Sequence, residues 1–201
     1  MRGYLLTVKN LVRWNSISNS HQMRMLVVSS AVGVMAGLGL TYVKLNLGLP
    51  GHKALFWMTP VLVARLLGRC RAGTTAGALA AAFTTFSLGG HLAGGIIGVP
   101  LVGAAGIILD AVIGWMENKK IRYGFFMFAL VSLSAMAANL TLLSKRMINV
   151  VGRTPHSLFG PTGFWYDLLC YACFGLLAGL VASTCALLMD RYRSRKNLST
   201  D

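Results

Sequence analysis

Two ionisable side chains of opposite charge lie in or beside apolar stretches of this chain, where charge is costly. Of the five acidic residues, Asp110 is the one that falls well inside such a stretch, whereas Asp167 falls three residues from the start of another. An ionisable group in a membrane segment indicates function by default, and a proton relay is the sharper interpretation. Arg65 lies near the same end of a neighbouring stretch, so we favour a structural ion pair between Arg65 and Asp110. A single intramembrane carboxylate gives little support to a proton-driven pump or an ion channel.

The sequence contains none of the residue spacings that the common catalytic motifs require. There is no Gly-x-Ser-x-Gly elbow, no His-Glu-x-x-His zinc motif and no Walker phosphate loop. Cys170 and Cys173 have the spacing of a metal or redox pair, but further ligands do not recur nearby. We interpret both cysteines as small packing residues. We therefore expect no enzyme activity, no metal site and no cofactor.

Six apolar stretches carry these residues, and most are long enough to cross a bilayer as helices. A hydrocarbon core of about 30 Å requires about 17–25 helical residues. The chain is 55% hydrophobic and 12% charged, which argues against a water-soluble domain. The sequence predicts an all-α integral membrane protein, a compact bundle of six transmembrane helices. The predicted spans are 25–45, 54–68, 74–90, 94–116, 123–143 and 164–189.

Basic residues alternate in number between the loops that join the predicted spans. With the N-terminus inside, fourteen of the nineteen Lys and Arg residues fall on the inner side. The positive-inside rule then predicts both termini in the cytoplasm and the protein in the cytoplasmic (inner) membrane. Because the basic residues sit at helix ends, we interpret the net charge of +14 as anchoring to the lipid bilayer. We expect no nucleic-acid partner.

The two ends of the chain are polar extensions of the predicted bundle. In residues 1–24, apolar side chains such as Tyr4 and Val8 recur with helical spacing between basic residues. This pattern predicts an N-terminal interfacial amphipathic helix on the cytoplasmic side. Residues 25–190 are predicted to form the six-helix transmembrane domain. Residues 191–201 are predicted to form a basic cytoplasmic tail.

Residues 49–90 carry the most individual pattern in the chain. A Pro-Gly turn leads into a helix interrupted by Pro60, and that helix ends at Leu66-Leu67-Gly68, followed by Ala72-Gly73. A helix rich in Gly, Ala and Thr then closes on Gly89-Gly90. In these features, and in its length, span number and cytoplasmic ends, the chain resembles the S components of energy-coupling factor (ECF) transporters. These are the substrate-binding membrane subunits of vitamin and metal importers.

The resemblance implies a substrate-capturing subunit for a small, vitamin-like molecule. A membrane coupling subunit and cytoplasmic ATPases would be its partners. In that family an Ala-x-x-x-Ala ridge on the first helix docks on the coupling subunit, and Ser29, Gly33 and Gly37 take the corresponding positions here. We call these three the small-residue strip; such strips also serve general packing within helical bundles. Metal-importing relatives use an N-terminal histidine site, and the start of this chain has none, so we do not expect a metal substrate.

The resemblance also implies a ligand pocket near the outer ends of helices four to six, below the first outer loop. Apolar and aromatic walls with a few polar groups suit a small planar molecule. Trp57, Trp165 and Tyr166 also suit the role of interfacial anchors, so that interpretation stays open. Asn139 is the strongest candidate, because a buried amide needs partners. The implied substrate-binding residues are Asn139, Thr141, Trp165, Tyr166, Asp167, His52 and Trp57.

A second function class fits the same sequence. A small basic six-helix protein can serve as a non-catalytic accessory or structural subunit of a larger membrane complex. It would then supply packing surface and lipid contacts without binding a ligand. The glycine pattern and the amphipathic N-terminus are typical of both classes.

Overall fold

Among the residues that the computed structural model describes, there are six α-helices, and each predicted span overlaps one of them. They are α1 (Arg2–Tyr42), α2 (Lys53–Gly68), α3 (Gly73–Ser87), α4 (Gly98–Asn118), α5 (Phe125–Thr141) and α6 (Pro161–Leu198). The structure describes residues 2–43, 49–90, 92, 96–119, 121, 124–144 and 161–198, with side chains from residue 20 to residue 192 within these ranges except at residues 161 and 162. No strand occurs among them.

The two terminal helices are longer than the sequence predicts. α1 runs without a break through the expected boundary at residue 24, so the N-terminal segment and the first predicted span form one helix of 41 residues. α6 likewise continues through most of the expected tail and has 38 residues. The amphipathic face expected over residues 1–24 lies mostly outside the described side chains. A change from polar to apolar composition therefore need not end a helix, because both compositions allow the same backbone hydrogen bonds.

Three helical segments of the described chain are long and apolar enough to cross a membrane: Ser20–Tyr42, Gly98–Asn118 and Gly163–Tyr192. α5 is also apolar but has 17 residues. α2 and α3 are shorter, with 16 and 15 residues, or about 24 and 22 Å at a rise of 1.5 Å per residue. The fold is compatible with a helical membrane protein.

The helices contact one another in a closed order that differs from their order in the chain. Going around the bundle, α1 contacts α3, α3 contacts α4, α4 contacts α5, α5 contacts α6, α6 contacts α2, and α2 contacts α1. α2 also contacts α3. Trp57, Met58, Val61, Leu62 and Arg65 of α2 are fully buried, so this helix supplies much of the core. Each end of the bundle is named after an α2 residue: the His52 end, where α2 begins, and the Arg65 end, where it finishes.

Glycine allows α1 to approach α3 without intervening side chains. A Cβ atom on Gly33 would overlap the backbone carbonyl of Gly77, and one on Gly37 would lie 2.8 Å from the carbonyl oxygen of Ala81. Ser29 is buried on the same face. The expectation that the small-residue strip docks on a partner subunit is therefore corrected. The strip is occupied by α3 of the same chain, which leaves no room there for another helix.

Candidate functional site

A buried arginine joins two carboxylates at the Arg65 end of the bundle. Arg65 Nε donates to Asp110 Oδ1 over 3.1 Å. Its two terminal nitrogens donate to the two carboxylate oxygens of Glu117 over 2.8 and 2.9 Å. The guanidinium is fully buried, whereas the Glu117 side chain is 36% exposed. The ion pair expected between Arg65 and Asp110 is thus present, and it belongs to a larger network.

Asp110 has a second role, because its carboxylate caps the start of α3. Asp110 Oδ1 accepts from the backbone N–H of Thr74 over 3.1 Å. Asp110 Oδ2 accepts from the backbone N–H and the hydroxyl of Thr75, each over 2.7 Å. Ala72, which precedes α3, makes no side-chain capping bond. A carboxylate on α4 therefore satisfies the N–H groups that a helix leaves unpaired in its first turn, and it interacts favourably with the positive end of the helix dipole.

Glu117 was not predicted, although the sequence contained the signal. It follows Asp110 by seven residues, which is close to two helical turns, so both carboxylates lie on one face of α4. Planar guanidinium groups bind carboxylates bidentately, and Arg65 does so with Glu117. Glu117 lies one residue past the predicted span 94–116, so the apolar stretch alone does not include it.

A cavity of about 530 Å³ lies beside this network and opens at the Arg65 end. Its wall combines apolar side chains, among them Ile113, Met116 and Met127, with charged groups. Glu117, Arg69 and Asp190 supply its charged groups. The volume is in the range of small-ligand pockets, which is about 300–1,000 Å³. This cavity lies at the opposite end of α2 from the predicted ligand residues.

At the His52 end, α5 and the residues just before α2 contact one turn of α6. Asn139 Nδ2 of α5 donates to the backbone carbonyl of Tyr171 over 2.7 Å. A Cβ atom on Gly51, just before α2, would lie 3.0 Å from the Cα of Tyr171. The His52 ring packs edge-on against Phe174, with ring centroids 6.4 Å apart. The structure thus brings Asn139 and His52 to the same turn, and buried Asp167 begins the turn before it.

Two buried polar atoms in this region lack hydrogen-bond partners among the described residues. They are Trp57 Nε1, which is a donor, and Asn139 Oδ1, which is an acceptor. Both side chains are fully buried. A buried polar group without a partner costs about 1–3 kcal/mol. We call His52, Trp57, Asn139, Asp167 and Tyr171 the His52-end cluster.

Three predicted ligand residues stand outside this cluster. Trp165 and Tyr166 are 60% and 50% exposed, so the structure favours the alternative that they are interfacial anchors. Thr141 Oγ1 donates to the carbonyl of Ala138 in its own helix. Trp57, in contrast, is fully buried and does not have the exposure of an interfacial anchor. The cluster therefore keeps four of the seven predicted residues and adds Tyr171.

A further contact that the sequence did not reveal ties α1 to the turn between α2 and α3. Gln22 Nε2 donates to the carbonyl of Arg69 over 3.3 Å, and Gln22 Oε1 accepts from the N–H of Arg71 over 3.2 Å. Arg69 has a left-handed backbone conformation with φ of 51°. This turn is therefore fixed by a side chain that lies 47 residues earlier in the chain.

Within the described part of the chain, no group of three or more His, Cys, Asp or Glu side chains could hold a metal ion. Comparisons of this chain with protein-family models, curated proteins and solved structures found no match.

Proposed function

We propose that this protein is the substrate-capturing membrane subunit of an ECF-type importer, and that the His52-end cluster binds a small, vitamin-like molecule. The supporting observation is the pair of buried, unpartnered atoms, Trp57 Nε1 and Asn139 Oδ1. A ligand with an acceptor and a donor would satisfy both. Aromatic and apolar neighbours would hold its planar body.

We also propose that the chain crosses the inner membrane six times and that both of its termini lie in the cytoplasm. This topology rests on the distribution of Lys and Arg. We expect His156→Cys to react with a membrane-impermeant thiol reagent in intact cells and Lys119→Cys to remain unlabelled. Both would be made in a chain whose four native cysteines are replaced. Equal labelling at the two positions would contradict the topology.

Ligand binding tests the proposed function directly. Purified protein in detergent would be titrated with vitamins and related cofactors, and binding would be followed by calorimetry. We expect Asn139→Leu to weaken binding at least tenfold, which corresponds to about 1.4 kcal/mol, because the ligand loses a buried amide partner. Ser183→Ala is the matched control, since the Ser183 hydroxyl is buried but donates to Gly179 within its own helix.

The alternative is an accessory subunit of a larger membrane complex. One observation favours it: the small-residue strip, which resembles the docking ridge of the importers, is filled by α3. If well-folded wild-type protein binds no compound in the panel and is purified without ATPase subunits, the accessory function replaces the import function.

A further inference from the structure

A groove of about 1010 Å³ runs along α1 on the side next to α2. On α1 it follows Val28, Ala31, Met35, Gly39 and Val43. Their spacing of three or four residues places them on one stripe of the helix. Val28, Met35 and Val43 are exposed. This stripe is distinct from the small-residue strip, so α1 packs on α3 with one face and borders the groove with another.

The opposite wall comes from α2, where Phe56 and Pro60 lie one turn apart. Proline has no N–H to give to the carbonyl four residues earlier, so the regular helix surface is interrupted here. Lys53 lies about one turn before Phe56 and lines the groove at the His52 end. Among the described residues that line the groove, Lys53 is the one that carries a charge. The groove is thus apolar along its length and cationic at one end.

The length and the lining of the groove fit the acyl chains of a lipid. From Val28 to Val43 it extends about 22 Å along α1, at 1.5 Å per residue. Apolar side chains line this length, and the charge of Lys53 lies at one end of it. A long apolar surface with one cationic end is complementary to acyl chains that are joined to an anionic phosphate.

We propose that this groove is a binding site for one anionic glycerophospholipid of the bilayer, with its two acyl chains between α1 and α2 and its phosphate beside Lys53. Dispersion contacts along the apolar walls hold the chains, and the ammonium group selects an anionic head group. The site is separate from the His52-end cluster and does not depend on the import function.

Glycine positions provide matched variants for the test. An added Cβ atom meets no atom within 4 Å at Gly39, in the groove, or at Gly114, on α4 outside the groove. Gly39→Leu therefore adds to the groove a branched side chain whose Cβ atom has room, and Gly114→Leu is the control with the same change in helix propensity. Lys53→Gln removes the charge and keeps a polar side chain of moderate length.

Lipid retained per chain after purification in mild detergent would be measured by native mass spectrometry. Delipidated protein would then be titrated with phosphatidylglycerol and with phosphatidylcholine. We expect one retained lipid and at least a fivefold preference for phosphatidylglycerol in the wild type and in Gly114→Leu. Gly39→Leu should reduce retention at least fivefold. Lys53→Gln should keep the lipid but bring the preference close to one.

Three results would overturn the proposal. Equal lipid retention by Gly39→Leu and Gly114→Leu would show that the lipid lies elsewhere. An unchanged preference in Lys53→Gln would remove the role of the charge. A photoreactive group placed at Met35 that captures a second polypeptide in native membranes would assign the groove to a protein partner.

Discussion

The two ends of α2 differ in how the hydrogen bonds of their buried polar groups are satisfied. At the Arg65 end, a guanidinium meets two carboxylates, and one of those carboxylates also accepts from three donors on α3. At the His52 end, an indole N–H and an amide oxygen are equally buried but have no partner among the described residues. The hydroxyl of Thr74, beside the ion pair, is also buried without a described partner, so the contrast concerns the charged groups of the Arg65 end. Buried polar groups are normally satisfied, so an exception requires its own explanation.

This difference separates a structural network from a candidate binding site. The charged groups at the Arg65 end hold α2, α3 and α4 together. Arg65 Nε and both carboxylate oxygens of Asp110 already make their hydrogen bonds within the protein, so they have none left for a ligand. Groups at a binding site are instead held ready for a partner at some cost to stability, as is common for functional residues. Substitutions at the two ends should therefore have different effects on stability and on binding.

The largest loss of stability is expected for Asp110→Asn. The amide keeps the shape of the side chain but loses the charge that Arg65 needs, and its NH2 group would face a backbone N–H of Thr74 or Thr75. Removing one partner of a buried ion pair costs about 3–5 kcal/mol. The free energy of unfolding would be measured in detergent by chemical denaturation.

A double-mutant cycle with Arg65→Gln tests the coupling. The second substitution should recover part of the loss, because it removes the buried positive charge that Asp110→Asn leaves with one partner fewer. Strictly additive effects of the two substitutions would show that Arg65 and Asp110 do not interact.

A smaller loss is expected for Glu117→Gln. Glu117 is partly exposed, and a solvent-accessible ion pair contributes about 0–1 kcal/mol. Arg65 also retains its bond to Asp110. The unfolding free energy should fall by about 1 kcal/mol, and addition of salt should narrow the gap from the wild type. A loss as large as that of Asp110→Asn would mean that water does not reach Glu117.

The smallest change in stability is expected for Asn139→Leu. It removes one hydrogen bond, to the carbonyl of Tyr171, but it also removes the buried unpartnered oxygen. These effects have opposite signs and similar size, so the net change in unfolding free energy should stay within about 1 kcal/mol. Thermal unfolding without ligand, with Ser183→Ala in parallel, would measure it. A loss above 3 kcal/mol would place Asn139 with the structural network.

The sequence predicted the ion pair because of where its members lie within neighbouring stretches. Arg65 and Asp110 fall towards the C-terminal ends of the second and fourth apolar segments, so helices that alternate in direction place both residues at the same end of the bundle. Glu117 was missed because it lies just past the apolar stretch that defined the predicted span. Gln22 was missed because an uncharged polar residue near a predicted helix end carries no signal that identifies its backbone partners, the nearest of which lies 47 residues later.

The small-residue strip marks a different limit of prediction. Ser29, Gly33 and Gly37 correctly indicate a face that another helix approaches closely. The spacing carries no information about which helix that is, and here it is α3. Trp57 shows the same limit, because its position near a span end suggested an interface and only the packing of α2 shows that it is buried.

The network at the Arg65 end also constrains the order of events during synthesis. Arg65 leaves the ribosome 45 residues before Asp110 and 52 residues before Glu117. At about 5–20 residues per second, this interval lasts roughly 2–10 s. During that time the guanidinium of a nascent α2 has neither carboxylate, and an arginine in an apolar helix is costly to insert. The arrival of α4 supplies both carboxylates and the cap of α3 together, so one helix completes the polar contacts of the two before it.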